Sequence, residues 1–460
     1  MRPRNEVARD QLTAVLARRS AVGAAEVAGS LSVSIPTLHR MLQALGDGMV
    51  VSTGKARRTR YALRRDLRGE LAPLPLYEVD AAGRADRLTA LDLVRPHGSC
   101  LPLAGSGWPV PEESRDGWWD GLPCPLYDMR PQGFMGRQFA RAEHRQLGVS
   151  ANPQEWGDDD VAWVLSRSGA DASGNLILGD RAFERWQATK LATPEPLRTR
   201  AVGAAYARLA EHAIGAGVAG SSAGGEFPKF AALRERAGSA TPHVLVKFSG
   251  AERSAAVRRW SDLLVCEHLA LEAVAELPGG MAARSRIVEH AGRTFLEVER
   301  FDRHGLFGRS RLASLLTLDA ALLGAGTSDW VVLAERLQAL GLLDAAPVER
   351  IRHLWWFGRL IANTDMHTGN ISFVPRDGLT LAPAYDMLPM LYAPLPGGEL
   401  PTRSFEPALP LPPHRVAWLS GCAAALSFWE RAATDERISA AFRRTCGANA
   451  RRLHGIGDLV

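Results

Sequence analysis

The sequence predicts an α+β chain in which a small basic helical domain precedes a larger, near-neutral body. Three observations carry this. Helical stripes and period-two strand runs occur in both parts, so neither element type dominates. Positive charge is concentrated at the start: residues 1–70 hold 13 Lys and Arg against 6 Asp and Glu, whereas the whole 460-residue chain carries only +5. A glycine-rich stretch and a burst of polar residues interrupt the apolar body where chemistry would need them. Length favours about three domains, and composition shifts divide the chain at 1–66, 67–185, 186–304 and 305–460.

Several classes are excluded first. With 46% apolar and 23% charged residues the chain should fold rather than stay disordered. No apolar run reaches the roughly 18 residues of a membrane span, and the opening MRPRNEVARDQL is charged where a secretion signal needs an apolar core. The expectation is a soluble, cytoplasmic protein with no membrane partner. Cys100, Cys124, Cys266, Cys422 and Cys446 are odd in number and never in CxxC spacing, which argues against a disulfide framework and a zinc cage.

In residues 1–66, Val7, Leu12, Val15 and Leu16 form one helical stripe, Ala24 to Leu31 a short second helix, and Ile35, Leu38, Met41, Leu42 and Leu45 a third. Ser34 is a ready N-cap, with Pro36 in the first turn where a missing N–H costs nothing. The runs MVVST and RYAL follow, joined by a basic tip at Gly54 to Arg58, which predicts a hairpin. Three helices and a basic hairpin resemble the winged helix-turn-helix family, whose third helix enters the major groove while the wing touches backbone. On that resemblance Thr37, His39, Arg40 and Gln43 face DNA bases, and Lys55, Arg57, Arg58 and Arg60 face phosphates. A small docking or dimerisation domain with solvated arginines is the plainer alternative.

Residues 67–185 mix short apolar runs with turns. The cluster Asp158, Asp159, Asp160 precedes an amphipathic run, where acids favour the helix dipole more simply than a metal.

From Gly215 the chain becomes GAGVAGSSAGGEFPKF, and the strand HVLVKFSG follows. Gly224 and Gly225 let backbone N–H groups approach phosphate oxygens, although the GxxxxGK[ST] spacing is absent. Period two puts Val244, Val246 and Phe248 on one face and Lys247 with Leu245 on the other. Only four of the 55 Lys and Arg residues are lysine, so a lysine off an apolar strand suits a phosphate contact. The next helix has the stripe Val257, Trp260, Leu264, Glu267, Leu271, Val274, which puts Glu267 on an apolar face where it needs a cation. A strand lysine held by a helix glutamate is the protein-kinase device for phosphate binding. RTFLEVERFDR is then a strand running into a polar turn from Glu299 to Arg303, a candidate hinge between lobes; Glu299 and Phe301 are candidate nucleotide contacts there.

After the apolar helix VERIRHLWWFGRLIA comes the burst NTDMHTGN, residues 363–370, leading into a hairpin of Ile371–Val374 and Leu379–Leu381. The hairpin brings Asn370 and Asp386 to the same end, where a metal could bridge them. Asp365 precedes Asn370 by five residues, the kinase spacing of catalytic base and magnesium-binding asparagine. A capped loop satisfying its own backbone is the alternative.

Together SSAGGEFPK, HVLVKF, VERFDR, TDMHTGN and LAPAYD resemble the HipA family of serine/threonine kinase toxins, over roughly residues 70–460. The combination with a fused winged helix looks like the YjjJ-type branch. The resemblance implies a two-lobed protein-kinase-like body that uses ATP and Mg2+ on a protein substrate. Lys247 would hold phosphates, Asp365 would be the base, His367 would belong to the catalytic loop, and Asn370 and Asp386 would be metal ligands. Ser221 would be autophosphorylated, with Ser222 a rival because the glycine loop is one residue longer. Aligning Cys266, Leu269 and Ala270 with the family's CxxLA pattern puts its acid at Leu263, so Asp262 or Glu267 must substitute. Typical members rely on a separate DNA-binding antitoxin, which becomes a further partner beside DNA itself. Two rival functions remain: a DNA-binding regulator with a nucleotide-binding pseudokinase body, and a metal-dependent nuclease with Asp365, His367 and Asp386 as ligands.

Overall fold

The computed structural model describes residues 2–215, 227–457 and 460, and divides into two compact units that interleave along the chain. The first comprises residues 1–80, 84–130 and 155–192; the second comprises 81–83, 131–154 and 193–460.

The first unit opens with three helices, α1 (Arg2–Arg18), α2 (Ala24–Leu31) and α3 (Ile35–Leu45). Leu12, Leu16, Val27, Leu38, Leu42 and Leu45 close on one another with Leu63. Val7 belongs to the expected stripe but is 57% exposed and lies outside this core. Ser34 caps α3 as expected, its hydroxyl accepting from Thr37 N–H at 3.3 Å. Strands β2 (Val50–Thr53) and β3 (Arg60–Leu63) form the expected hairpin, and a two-residue strand β1 (Val22–Gly23) adds to β3. Gly54 turns the tip at φ 102°, where an added Cβ would sit 2.5 Å from the Arg58 carbonyl oxygen.

The same unit continues into a five-stranded antiparallel sheet in the order Trp118–Trp119, Ser99–Cys100, Ala85–Leu93, Leu74–Val79, Leu176–Leu178. The hairpin is built into it: Val51 and Ala62 pack with Val94, Cys100 and Trp118. Arg65 N–H donates to Leu93 O at 2.8 Å, and Arg95 N–H donates to Leu63 O at the same distance. The Asp158–Asp160 cluster opens the helix Asp158–Ser168, as the dipole argument expects. Asp158 accepts from Leu122 N–H, Asp159 pairs with Arg65 and Asp160 with Arg68.

In the second unit a four-stranded antiparallel sheet runs in the order Ser285–His290, Arg293–Glu299, His243–Phe248, Lys229–Leu233. Val244, Val246 and Phe248 face the helix Val202–Gly215 through Tyr206, as period two requires. The helix Ala255–Ala273 contacts the same sheet and also the helix Arg415–Thr434. That double packing buries it almost all round from Asp262 to Leu271, instead of along one stripe. Farther along, the helices Trp330–Ala339, Ala345–Leu360, Arg415–Thr434 and Ala440–Gly457 bury Trp330, Phe357, Trp418, Phe428, Trp429 and Phe442. The expected hairpin is Ser372–Arg376 with Gly378–Leu381, and Ala313–Ser314 adds a third strand that periodicity cannot show.

Candidate functional site

Lys247 sits on a central strand, 4% exposed, and not at a sheet edge where it could reach solvent. Its ammonium donates to both carboxylate oxygens of Glu267, at 2.7 and 2.8 Å, and contacts the Asp386 carboxylate. Glu267 is wholly buried, so the pair satisfies two charges that could not be buried singly. Burial pushes the Lys247 ammonium below its ordinary value, while Glu267 opposes that shift; Lys229 adds to it and Asp365 resists it. Asp262, the other candidate partner, accepts from the backbone N–H and the hydroxyl of Ser439, each at 2.7 Å. Glu267 is therefore the acid that pairs with Lys247.

The polar burst is held by its own cross-links. Asn363, 7% exposed, accepts from Asp365 N–H at 3.0 Å and donates to the Asp386 carbonyl at 3.3 Å. Asn370 donates to the Asp365 carbonyl at 2.8 Å, and Tyr385 donates to the Gly369 carbonyl at 2.8 Å. These bonds bring Asp365, Asn370 and Asp386 to one end of the hairpin, as the sequence anticipates. His367 accepts from Gly369 N–H on Nδ1 at 3.1 Å. Trp330 Nε1 donates to the His367 carbonyl at 3.2 Å. Gly358 permits close packing, because an added Cβ would lie 2.5 Å from Met366 Sδ. Asp386 has φ 55°, a left-handed conformation that Asp and Asn tolerate better than most residues.

An open cleft of about 580 Å3 lies against this loop, lined among others by Trp355, Arg359, Asp365, His367, Phe405 and Glu406. Part of the proline-rich stretch Pro389–Pro413 forms one wall; Phe405 is 3% exposed and the Ala408 carbonyl accepts from Trp418 Nε1. The stretch is thus an ordered loop at the cleft.

Other expectations fare differently. Phe301 faces the Tyr385 ring with centroids 5.7 Å apart. The Glu299 carboxylate instead accepts from the Ser239 hydroxyl at 2.7 Å and lies 3.9 Å from Arg236, so it is engaged within the sheet's end. The expected polar hinge is a buried ion cluster, with Asp302 between Arg300 and Arg303. Gly224, Gly225, Ser221 and Ser222 lie outside the described residues. Among the described residues no group of three or more His, Cys, Asp or Glu side chains is placed to hold a metal ion. Asn370 donates a side-chain amide N–H to the Asp365 carbonyl, and the Asn370 side-chain carbonyl and the Asp386 carboxylate are both hard oxygen donors of the kind magnesium takes. Sequence reasoning gave no role to Asn363, Tyr385 or Arg359; only the position of Asn363 just past an apolar helix hinted at one.

In the first unit His39, Arg40 and Gln43 of α3 are exposed and Thr37 half-buried, while Lys55, Arg57, Arg58 and Arg60 on the hairpin are exposed. His39 lies 6.4 Å from the Tyr61 ring, which puts helix and hairpin on one side.

Comparison with known proteins matches residues 70–187 to a YjjJ-like toxin middle domain and residues 221–450 to a HipA-like C-terminal domain. The chain is 36% identical over 440 residues to Toxin YjjJ of Escherichia coli (strain K12), covering 95% of this chain and 96% of that protein. Among solved structures it is similar to a chain of the Shewanella oneidensis MR-1 HipA, HipB and operator DNA complex, with a TM-score of 0.45 and 16% identity over 84% of this chain and 99% of that one. It is also similar to the Helicobacter pylori proinflammatory kinase CtkA, with a TM-score of 0.34 and 11% identity over 52% and 90%.

Proposed function

We propose, from the premise that the chain belongs to the HipA family of toxins in its YjjJ-like branch, that its second unit is an ATP-dependent serine/threonine protein kinase. The observation that carries this is the convergence of the Lys247–Glu267 pair with Asp386 beside Asp365 and Asn370. Glu267 fixes the Lys247 ammonium where it offsets phosphate charge. Asp365, exposed at the cleft, orients the acceptor hydroxyl and takes its proton. Asn363 holds Asp365 and Asp386 in register, so the charges need no rearrangement during transfer. Asn370 and Asp386 would hold Mg2+, which when bound neutralises charge on the nucleotide phosphates. Ser221 or Ser222 is the proposed site of autophosphorylation.

The three helices and hairpin of residues 1–66 are proposed as a winged helix that binds DNA through α3 and the basic tip. DNA, an acceptor protein and an antitoxin are its proposed partners, in the cytoplasm. Among the described residues no helix is long and apolar enough to cross a membrane.

Radiolabelled ATP incubated with purified protein and magnesium tests the kinase. Label on serine or threonine, lost in Asp365→Asn, supports it. Nucleotide binding without transfer would leave a DNA-binding regulator with an inactive kinase body, and DNA cleavage without nucleotide would overturn both.

A further inference from the structure

The cleft beside Asp365 carries a positive charge that no acid among the described residues answers. We propose that this charge, on Arg359, selects acceptor segments with a carboxylate side chain close to the hydroxyl that is phosphorylated; this rests on the kinase reading above. Arg359 stands in the last turn of the helix Ala345–Leu360, just before the polar burst, and lines the cleft together with Asp365 and His367. Trp355 and Trp356 precede it by four and three residues, so all three share one side of the helix. The guanidinium lies 5.8 and 5.6 Å from the two ring centroids, within cation–π range. Trp355 in turn packs against Trp330 with centroids 5.7 Å apart, and Trp330 Nε1 donates to the His367 carbonyl. The platform under Arg359 is thus tied to the loop that carries Asp365.

A guanidinium presents five N–H donors in one plane. Those of Arg359 make no hydrogen bond or ion pair among the described residues, and the residue is exposed. The acids of the cleft are engaged elsewhere: Glu406 pairs with Arg452 at 2.8 Å and accepts from the Ser404 hydroxyl at 3.2 Å, and Asp365 is the proposed base. A cation in a last turn also suits the helix dipole, but any exposed position there would serve, without the two rings or the cleft. Arg359 is the only arginine or lysine among the described residues that line the cleft. One guanidinium matches one carboxylate in a bidentate pair, whereas phosphorylated segments are taken by arginine clusters. At about 580 Å3 the cleft has the size of a ligand site, and it is open enough for a chain segment to enter.

The test gives the full chain radiolabelled ATP, magnesium and three pools of synthetic peptides. Each peptide has a central serine, and its flanking positions are enriched in Asp and Glu, in Ala, or in Lys. Wild type should label the acidic pool about tenfold better than the Ala pool, the difference expected of one charge-assisted contact. Arg359→Gln should bring that ratio close to one, and Arg359→Lys should keep part of it. Arg359→Glu should invert the order in favour of the Lys pool, a change that loss of stability cannot produce. Calorimetric titration of ATP should give Arg359→Gln the wild-type affinity, because the nucleotide is held at Lys247. Equal labelling of the three pools, at any level including none, by a wild type that labels itself would overturn the assignment and leave the kinase standing. So would an acidic preference that survives Arg359→Gln, a loss of ATP affinity in that variant, or the absence of inversion in Arg359→Glu. No label on any protein or peptide would overturn the kinase reading itself, and this inference with it.

Discussion

Asp262 and Glu267 are both eligible partners for Lys247 by spacing, and only the fold separates them. The helix is buried nearly all round, so hydrophobic contrast, the signal that ranks faces in a sequence, is missing there. Their environments make opposite predictions. Asp262→Ala removes two acceptors from Ser439 and leaves a backbone N–H unsatisfied, at a cost of about 1–3 kcal/mol, yet ATP titration should be unchanged. Glu267→Gln leaves Lys247 with Asp386 alone, so ATP affinity should fall along with melting temperature. An ATP affinity that drops in Asp262→Ala and not in Glu267→Gln would reverse the assignment. Asp386 offers a second contrast, because its φ of 55° suits Asn but strains Ala. Asp386→Asn should keep the fold in a melt while magnesium-dependent transfer is lost, and Asp386→Ala should lose both. The candidacy of Glu267 and Asp386 was legible beforehand, but the Asp386 backbone was not, since a left-handed residue leaves no periodic trace.

At the scale of elements, the sequence marks strong local signals well and long-range ones poorly. The segments Ala24–Leu31 and Ile35–Leu45 are helices with the expected limits, and in the second, cap, proline and apolar stripe all agree at its start. Strand β1 is invisible: it exists only because Val22 pairs with Tyr61, far along the chain. The basic hairpin tip is legible and stands exposed, which allows a direct test. If Lys55, Arg57, Arg58 and Arg60 meet phosphates, each one removed should reduce the log–log salt slope of DNA binding by about 0.9. Anisotropy with duplex DNA across a salt series reads that slope, and a fourfold substitution that leaves it unaltered would favour a docking domain. Ser34→Ala should separately cost about 1 kcal/mol through the lost cap, measured by denaturant unfolding.

At the scale of the molecule, two units that interleave in sequence make a prediction through the cysteines. Residues 155–192 return to the first unit after residues 131–154 have joined the second, an exchange that spacing along the chain cannot encode. Cys100 and Cys124 fall in the first unit, and Cys266, Cys422 and Cys446 in the second; all five are free thiols and buried. Burial pushes the thiols of Cys100 and Cys124 up to about 12 and that of Cys422 up to about 11, so the reactive thiolate is scarce in the native state. Alkylation therefore reports unfolding, unit by unit. On the proposed function, a nucleotide bound at Lys247 would stabilise the second unit by mass action, about 2.7 kcal/mol at a hundredfold excess over Kd, and so reduce its open population roughly a hundredfold. Heating near the transition with an alkylating reagent, then mapping peptides by mass, should show Cys266, Cys422 and Cys446 protected by magnesium and ATP while Cys100 and Cys124 are labelled as before. Duplex DNA should protect the opposite set, since the hairpin shares a core with Cys100. Equal protection of all five by either ligand would mean that the chain unfolds as one cooperative block, and neither ligand could then be assigned to a unit by this route.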